Sequence, residues 1–222
     1  MSPAQFTIPI QIDLAATFLF GLTGGLAALK RGYDVIGLFA LAFVTAVGGG
    51  LIRDGLFIQA GPPAVVMDSR YMLAVIVAGI VSVFFQRAIS RLNHVIAWLD
   101  ALGLGAYAVV GVQKALLAGL SVTAAILVGL INATGGGLLR DVLVRDEPLL
   151  FKPGQYYTLA ALAGCVLFVF LVRRIHMDST DAAHLTIGTT FLFRVLTIQF
   201  NWSSRPVMQY GPPPTPPPLP PS

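Results

Sequence analysis

The chain has 222 residues, 56% of them hydrophobic and 11% charged, with a mean hydropathy of +0.80. Ordinary globular domains carry about 25% charged residues, so this composition excludes a soluble domain with a solvated surface and sets the chain against lipid. The formal net charge of +4 is small and scattered, unlike the clustered basic face of a nucleic-acid binder, so nucleic acid is not expected as a partner.

About 20 apolar residues cross a hydrocarbon core as a helix, and seven segments qualify in chain order. The start, MSPAQFTIPIQID, lacks the basic opening of a cleavable signal peptide, so residues 12–29 are read as a retained first span. After KRGYD comes a second span at 35–58, containing VGGGLIRDGL from Val47 to Leu56. GPPAVVMDSR leads to a short third span at 71–85, and QRAISRLNH to a fourth at 95–117. A weakly marked break near Leu120 and Ser121 precedes the fifth span, 122–144, which contains TGGGLLRDVL from Thr134 to Leu143. RDEPLLFKPG and RRIHMDSTD introduce the sixth and seventh spans at 156–172 and 182–200. The expected fold is an all-α membrane protein with no room for an extramembrane catalytic domain. The tail RPVMQYGPPPTPPPLPPS, from Arg205 on, suits polyproline II or disorder, either as a P-x-x-P ligand of unknown partner or as a solvated terminus.

The two glycine motifs lie 87 residues apart, and the same shift places Asp13 on Asp100, Gly24 on Gly111, Ala28 on Ala115 and Ala46 on Ala133. It also places Arg53 on Arg140 and Asp54 on Asp141. Three spans per unit make the second unit enter the membrane from the opposite side, as in inverted-repeat transport proteins. The expected divisions are 1–94 and 95–178 for the units, 179–202 for an unpaired seventh span, and 203–222 for the tail. The Lys and Arg distribution favours the N-terminus outside and the C-terminus in the cytoplasm. That orientation puts Lys30, Arg31, Arg87, Arg91, Arg145, Lys152 and Arg205 inside, against Arg70, Arg173 and Arg174 for the reverse.

Glycine weakens a helix and a charge is costly in lipid, about 2.5–3.5 kcal/mol on insertion scales. Repetition of both therefore needs a reason. One reading is that Gly48, Gly49 and Gly50, and again Gly135, Gly136 and Gly137, break the second and fifth spans and expose backbone to a wet path near the midplane. The other is close helix packing through small residues. Arg53 with Asp54, and Arg140 with Asp141, either clamp these helices by mutual neutralisation or border the path as well. A cross-pairing of Arg53 with Asp141 is a further arrangement. Thr45, Asn132 and Thr134 can offer oxygens to a cation or return hydrogen bonds to their own helices.

Seven spans in a 3+3+1 arrangement, with GGG-x-x-R-D in spans two and five, resemble the bacterial branch of the trimeric intracellular cation (TRIC) channels over residues 10 to 202. The resemblance implies a homotrimer in the bacterial inner membrane, each subunit with its own potassium-permeable pore lined by glycine-kinked second and fifth helices. It also implies a gating role for a basic residue of the fourth span. Lys114 is the candidate, its alternative being a lysine that snorkels to the nearer interface. Related bacterial sequences carry the label of glycine transporters, which leaves a small-solute carrier, with glycine as the candidate solute, beside the channel.

No enzyme is expected. His94, His176 and His184 sit at span edges, and no nucleophile or metal-ligand motif is present. The single Cys165, in an apolar run, allows no intrachain disulfide and makes a thiol-based metal site improbable. Beyond lipid and a transported ion, expected to be potassium, no cofactor or metal is called for.

Overall fold

The computed structural model describes residues 7–85, 92–152, 156–200 and 202. Among them there are eight α-helices and no strand. They are α1 (Ile10–Lys30), α2 (Val35–Ile52), α3 (Ala64–Met67), α4 (Ser69–Phe84), α5 (Leu92–Leu117), α6 (Val122–Leu143), α7 (Tyr157–Arg173) and α8 (Ser179–Gln199). A six-residue π-helix, Arg53–Ile58, continues α2. Four helical stretches, Ile10–Lys30, Val35–Ile58, Asn93–Leu117 and Val122–Leu143, are long and apolar enough to cross a membrane. Ser69–Phe84 and Tyr157–Arg173 are shorter apolar helices. This is an all-helical integral membrane protein. Part of the third connection and the Pro-rich tail, including Arg87, Arg91 and Arg205, lie outside the described residues.

The boundaries follow local chemistry. Side-chain oxygens of Asp34, Asp68, Ser121 and Asp178 accept backbone N–H groups at the starts of α2, α4, α6 and α8, satisfying donors that a helix start leaves unpaired. Arg70, forked onto Asp68, holds that carboxyl below the ordinary carboxylate range. Gly32 and Gly119, with φ of +71° and +83°, follow α1 and α5 and take the left-handed conformation that stops a helix.

α1 packs on α2 and α4, and α5 packs on α6 and α7. Equivalent glycines make equivalent approaches. A Cβ on Gly24 would lie 2.6 Å from the Thr45 hydroxyl, and one on Gly111 would lie 2.8 Å from the Asn132 Cβ. α5 is the centre of the bundle, touching α1, α6, α7 and α8, and its buried Ala101, Leu104, Ala108, Val109 and Val112 belong to or border the main core.

One expectation is corrected here. The chain does not break at the glycine triplets: α2 stays α-helical through Gly48, Gly49 and Gly50, and α6 through Gly135, Gly136 and Gly137. The departure from α geometry comes one turn later and only in the first copy, at Arg53–Ile58, and it ends at Gln59 with φ of 49°. The triplets serve contact between helices. A Cβ on Gly49 would collide with the Asn132 carbonyl oxygen, one on Gly136 with the Thr45 carbonyl oxygen, and the Gly49 Cα lies 3.1 Å from a Cβ placed on Gly135. α2 and α6 therefore cross backbone to backbone, as small residues permit in membrane bundles.

Candidate functional site

One face of α1 organises the polar interior. Asp13, Thr17, Phe20, Thr23 and Ala27, spaced by three or four residues, lie on the same side of the helix, and all five are buried. At the end where α1 begins, Asp13 borders a cavity of about 300 Å³ with Ile10, Ala64, Tyr71, Gln113 and Lys114. That cavity adjoins a void of about 20 Å³ lined by Thr17, Gly50, Arg53, Asp54 and Tyr107, the two sharing Asp13, Ala64 and Tyr71. At the other end, Ala27 borders a cavity of about 490 Å³ with Lys30, Arg31, Arg140, Asp141 and Arg194. Along α1, Phe20 and Thr23 alone of this face separate the two.

In the first cavity the Lys114 ammonium lies 2.6 Å from the Asp13 carboxylate and 5.7 Å from the centre of the Tyr71 ring. The Tyr71 hydroxyl donates to the same Asp13 oxygen. Lys114 therefore turns inward to a buried carboxylate, not outward to the interface as a snorkelling lysine would. Arg53 grips Asp54 with Nε and Nη2 at 2.6 and 2.9 Å, and its Nη1 donates to the Asn132 side-chain oxygen at 3.1 Å. The Asn132 amide donates in turn to the Tyr107 carbonyl at 2.7 Å.

Between the cavities, the Tyr107 hydroxyl reaches Thr17 Oγ1 at 2.9 Å and the Ala46 carbonyl. The Tyr107 ring lies 5.0 Å from that of the fully buried Phe20. In the second cavity Arg140 donates to Asp141 at 2.9 Å, to Asp100 at 2.9 Å and to the Thr23 hydroxyl at 3.0 Å. Arg194, 1% exposed, sits 5.0 Å over the ring of the buried Tyr157.

Arg53 and Arg140 are 2% and 3% exposed. Charges this deep are retained only where paired and hydrogen-bonded, and each Arg-Asp motif pairs within itself. The cross-pairing of Arg53 with Asp141 does not form; the partner Arg53 finds across the crossing is Asn132. Arg53 and Asp54 line the first void, Arg140 and Asp141 the second cavity, and Lys114 the first. Of the six glycines only Gly50 borders one of these spaces. The Thr45 and Thr134 hydroxyls return hydrogen bonds to the Leu41 and Leu130 carbonyls at 2.7 and 2.9 Å, and Asn132 is committed to Arg53 and Tyr107. These three polar residues support the crossing helices and line none of these cavities.

Sequence reasoning missed Thr17, Phe20, Thr23, Tyr71, Tyr107 and Tyr157 as site residues, and it placed Asp13 and Asp100 only as repeat matches. Two signals pointed to some of them: the aspartate shared by both units, and the polar residues at helical spacing in an otherwise apolar first span.

A family model described as Glycine transporter matches residues 10–87 and 97–173. A UPF0126 membrane protein of Vibrio cholerae is 32% identical over 195 residues, covering 86% of this chain and 80% of its own. The UPF0126 inner membrane protein YadS of Escherichia coli is 30% identical over 191 residues, covering 86% and 91%. Among solved structures, the TRIC trimeric intracellular cation channel orthologue from Rhodobacter sphaeroides superposes with a TM-score of 0.78 at 33% identity, covering 86% of this chain and 97% of that one.

Proposed function

The chain belongs to the bacterial TRIC channel family, whose sequence model is described as Glycine transporter, and on that premise we propose that it is a cation channel permeable to potassium, with one conduction path in each subunit of a homotrimer. The observation that carries this reading is the α1 face, along which two charged cavities open toward opposite ends of the bundle with a single layer between them. That layer consists of Phe20, the Tyr107 ring and hydroxyl with Thr17, and Thr23 tied to Arg140. On this reading that layer keeps the path closed. The two three-helix sets are inverted repeats, seven helices span the bacterial inner membrane, and the N-terminus is outside. The Asp13 cavity then faces outward, and the Arg140 cavity faces the cytoplasm.

Around the first cavity and void Asp13, Asp54 and Asp68 outnumber Arg53 and Lys114, an excess that raises local cation concentration in a confined, low-dielectric space; the second cavity sets Lys30, Arg31, Arg140, Lys152 and Arg194 beside Asp141, Asp146 and Glu147. Purified protein in a planar bilayer under a potassium gradient is expected to give discrete unitary currents. Phe20→Leu removes the fully buried ring packed on Tyr107 and leaves a gap in the layer at a cost below the roughly 3–5 kcal/mol of a Phe→Ala change, and it is expected to raise potassium flux severalfold. Unchanged flux from a folded Phe20→Leu protein would move the barrier elsewhere.

A glycine carrier is the second reading, and one observation favours it. Each cavity holds both signs of charge, Asp13 with Lys114 and Asp141 with Arg140, which suits a zwitterion. Saturable glycine uptake without unitary currents would decide for it.

A further inference from the structure

Each Arg-Asp pair does something with its second carboxylate oxygen that neutralisation does not require. Asp54 Oδ2 accepts the backbone N–H of Ala64 at 3.1 Å, ten residues on. Asp141 Oδ2 accepts the backbone N–H of Leu149 at 3.2 Å, eight residues on. Both latched residues follow a proline, Pro63 and Pro148, and both belong to the connection that leaves the motif-bearing helix. Ala64 borders the first cavity and the void beneath it, and Leu149 borders the second cavity. Each arginine also reaches inward, Arg53 to Asn132 and Arg140 to Thr23 and Asp100. At each end a linkage runs from the layer through arginine and aspartate to a segment at the mouth, directly from Thr23 to Arg140 at one end and from the Tyr107 carbonyl by way of Asn132 to Arg53 at the other.

We propose that Asp54 and Asp141 are positioning residues that latch the segments around Ala64 and Leu149 over the two cavity mouths. Release of a latch uncovers that mouth. The arginine fixes each carboxylate so that one oxygen faces the covering segment, which is why the pair recurs as a pair at both ends. The inference rests on the cavities being the two mouths of one path. It does not depend on which solute crosses.

Removing the aspartate alone is an ambiguous test, because it also strands a buried arginine. The donor can be deleted instead. Ala64 opens a helical turn, where proline is favoured and its missing N–H is tolerated. Leu149 follows Pro148 in a turn closed by the Phe151 N–H on the Pro148 carbonyl, and proline suits that position too. Ala64→Pro therefore removes one hydrogen bond, Leu149→Pro removes one hydrogen bond together with a side chain packed on the main core, and both leave the ion pairs intact; the Ala64→Pro arm is the cleaner of the two.

The reporters are Gly50→Cys, where a Cβ has no neighbour nearer than Arg53 Nη2 at 3.7 Å, and Ala27→Cys in the second cavity, both in a Cys165→Ala background. The measurement is the rate of modification of the purified full-length protein by a charged, water-soluble methanethiosulfonate. Ala64→Pro is expected to speed labelling of Gly50→Cys about tenfold, the scale set by one hydrogen bond to a charged group, and to leave Ala27→Cys unchanged. Leu149→Pro is expected to do the reverse. Unchanged rates in both proline variants overturn the proposal. So does acceleration by Asp54→Ala without acceleration by Ala64→Pro, because the effect then comes from the stranded arginine. The readout is independent of ion flux, so a failed conduction measurement and a failed latch remain separate results.

Discussion

Gly49→Ala and Gly136→Ala are each expected to lower the melting temperature, by a net destabilisation of up to about 2 kcal/mol, and the double variant to lower it further. The added methyl group meets backbone in both cases: the Asn132 carbonyl for Gly49 and the Thr45 carbonyl for Gly136. A side chain can rotate away, but a carbonyl within a packed helix moves only with its helix. Overpacking of this kind costs about 1–3 kcal/mol and occasionally more, against a gain of at most about 1 kcal/mol from replacing glycine with alanine in a helix. The collision wins. Gly50→Ala is the control, since its Cβ meets only Arg53 Nη2 at 3.7 Å, and it is expected to hold or slightly raise the melting temperature. Gly48→Ala falls between, because its obstacle is a methyl group of Leu139 that can turn aside. Melting temperature and oligomer yield in detergent measure the series. A Gly49→Ala protein that melts at or above the wild type would return the triplets to the helix-breaking role.

Arg140→Met is expected to be the most damaging single change among the charged residues. Arg140 serves two carboxylates, Asp100 at 1% side-chain exposure and Asp141 at 10%, and it also holds the Thr23 hydroxyl. Methionine fills much of the volume but leaves both acids without their cation. Breaking a buried pair by removing one partner costs about 3–5 kcal/mol, a large part of the roughly 5–15 kcal/mol that keeps a domain folded. Arg53→Met leaves one carboxylate, the more exposed Asp54, and is expected to cost less. At the surface, Arg31 and Asp146 form an ion pair with side chains 37% and 50% exposed; such pairs contribute about 0–1 kcal/mol. The expected order of loss in melting temperature is therefore Arg140→Met, then Arg53→Met, then Arg31→Ala. Should Arg140→Met melt with Arg31→Ala, the second-cavity network would have to be hydrated and its charges screened.

Much of the fold was legible because lipid imposes a coarse rule. The second and fifth spans, expected at 35–58 and 122–144, end within a residue of the observed helices, since apolar length and polar breaks mark them directly. The four-residue α3 was missed, because AVVM is too short to show a helical period; it follows Pro63, and its first N–H is taken by Asp54. The π-helix at Arg53–Ile58 was missed for a related reason: RDGLFI and its counterpart RDVLVR look alike, yet only the first winds as π.

The candidate site was half legible. Duplication singled out Arg53, Asp54, Arg140 and Asp141, because charges repeated at one spacing in an apolar chain need a cause. It did not tell which way glycine would act, since a gap for another helix and a break in its own helix have the same one-letter signature. Phe20 and Tyr107 carry no sign of their role in the sequence; only the meeting of α1 with α5 makes them neighbours. Lys114 could be read either way until Asp13 was seen beside it, 101 positions distant.

The crossing of α2 and α6 has a property that a contact between unrelated helices lacks. Gly49 faces the backbone of Asn132 while Gly136 faces the backbone of Thr45, and these two contacts exchange under the 87-residue shift. A surface that meets its own equivalent in this way is isologous, the form of interface found between the subunits of a two-fold dimer. Each of the two segments carries both parts of the contact, a glycine that receives a backbone and a backbone that is received. A bulkier side chain at Thr45 would press on Gly24 of α1, whereas Gly136 receives the Thr45 backbone itself, so the crossing constrains the glycines and leaves the side chains of the residues they face to other neighbours.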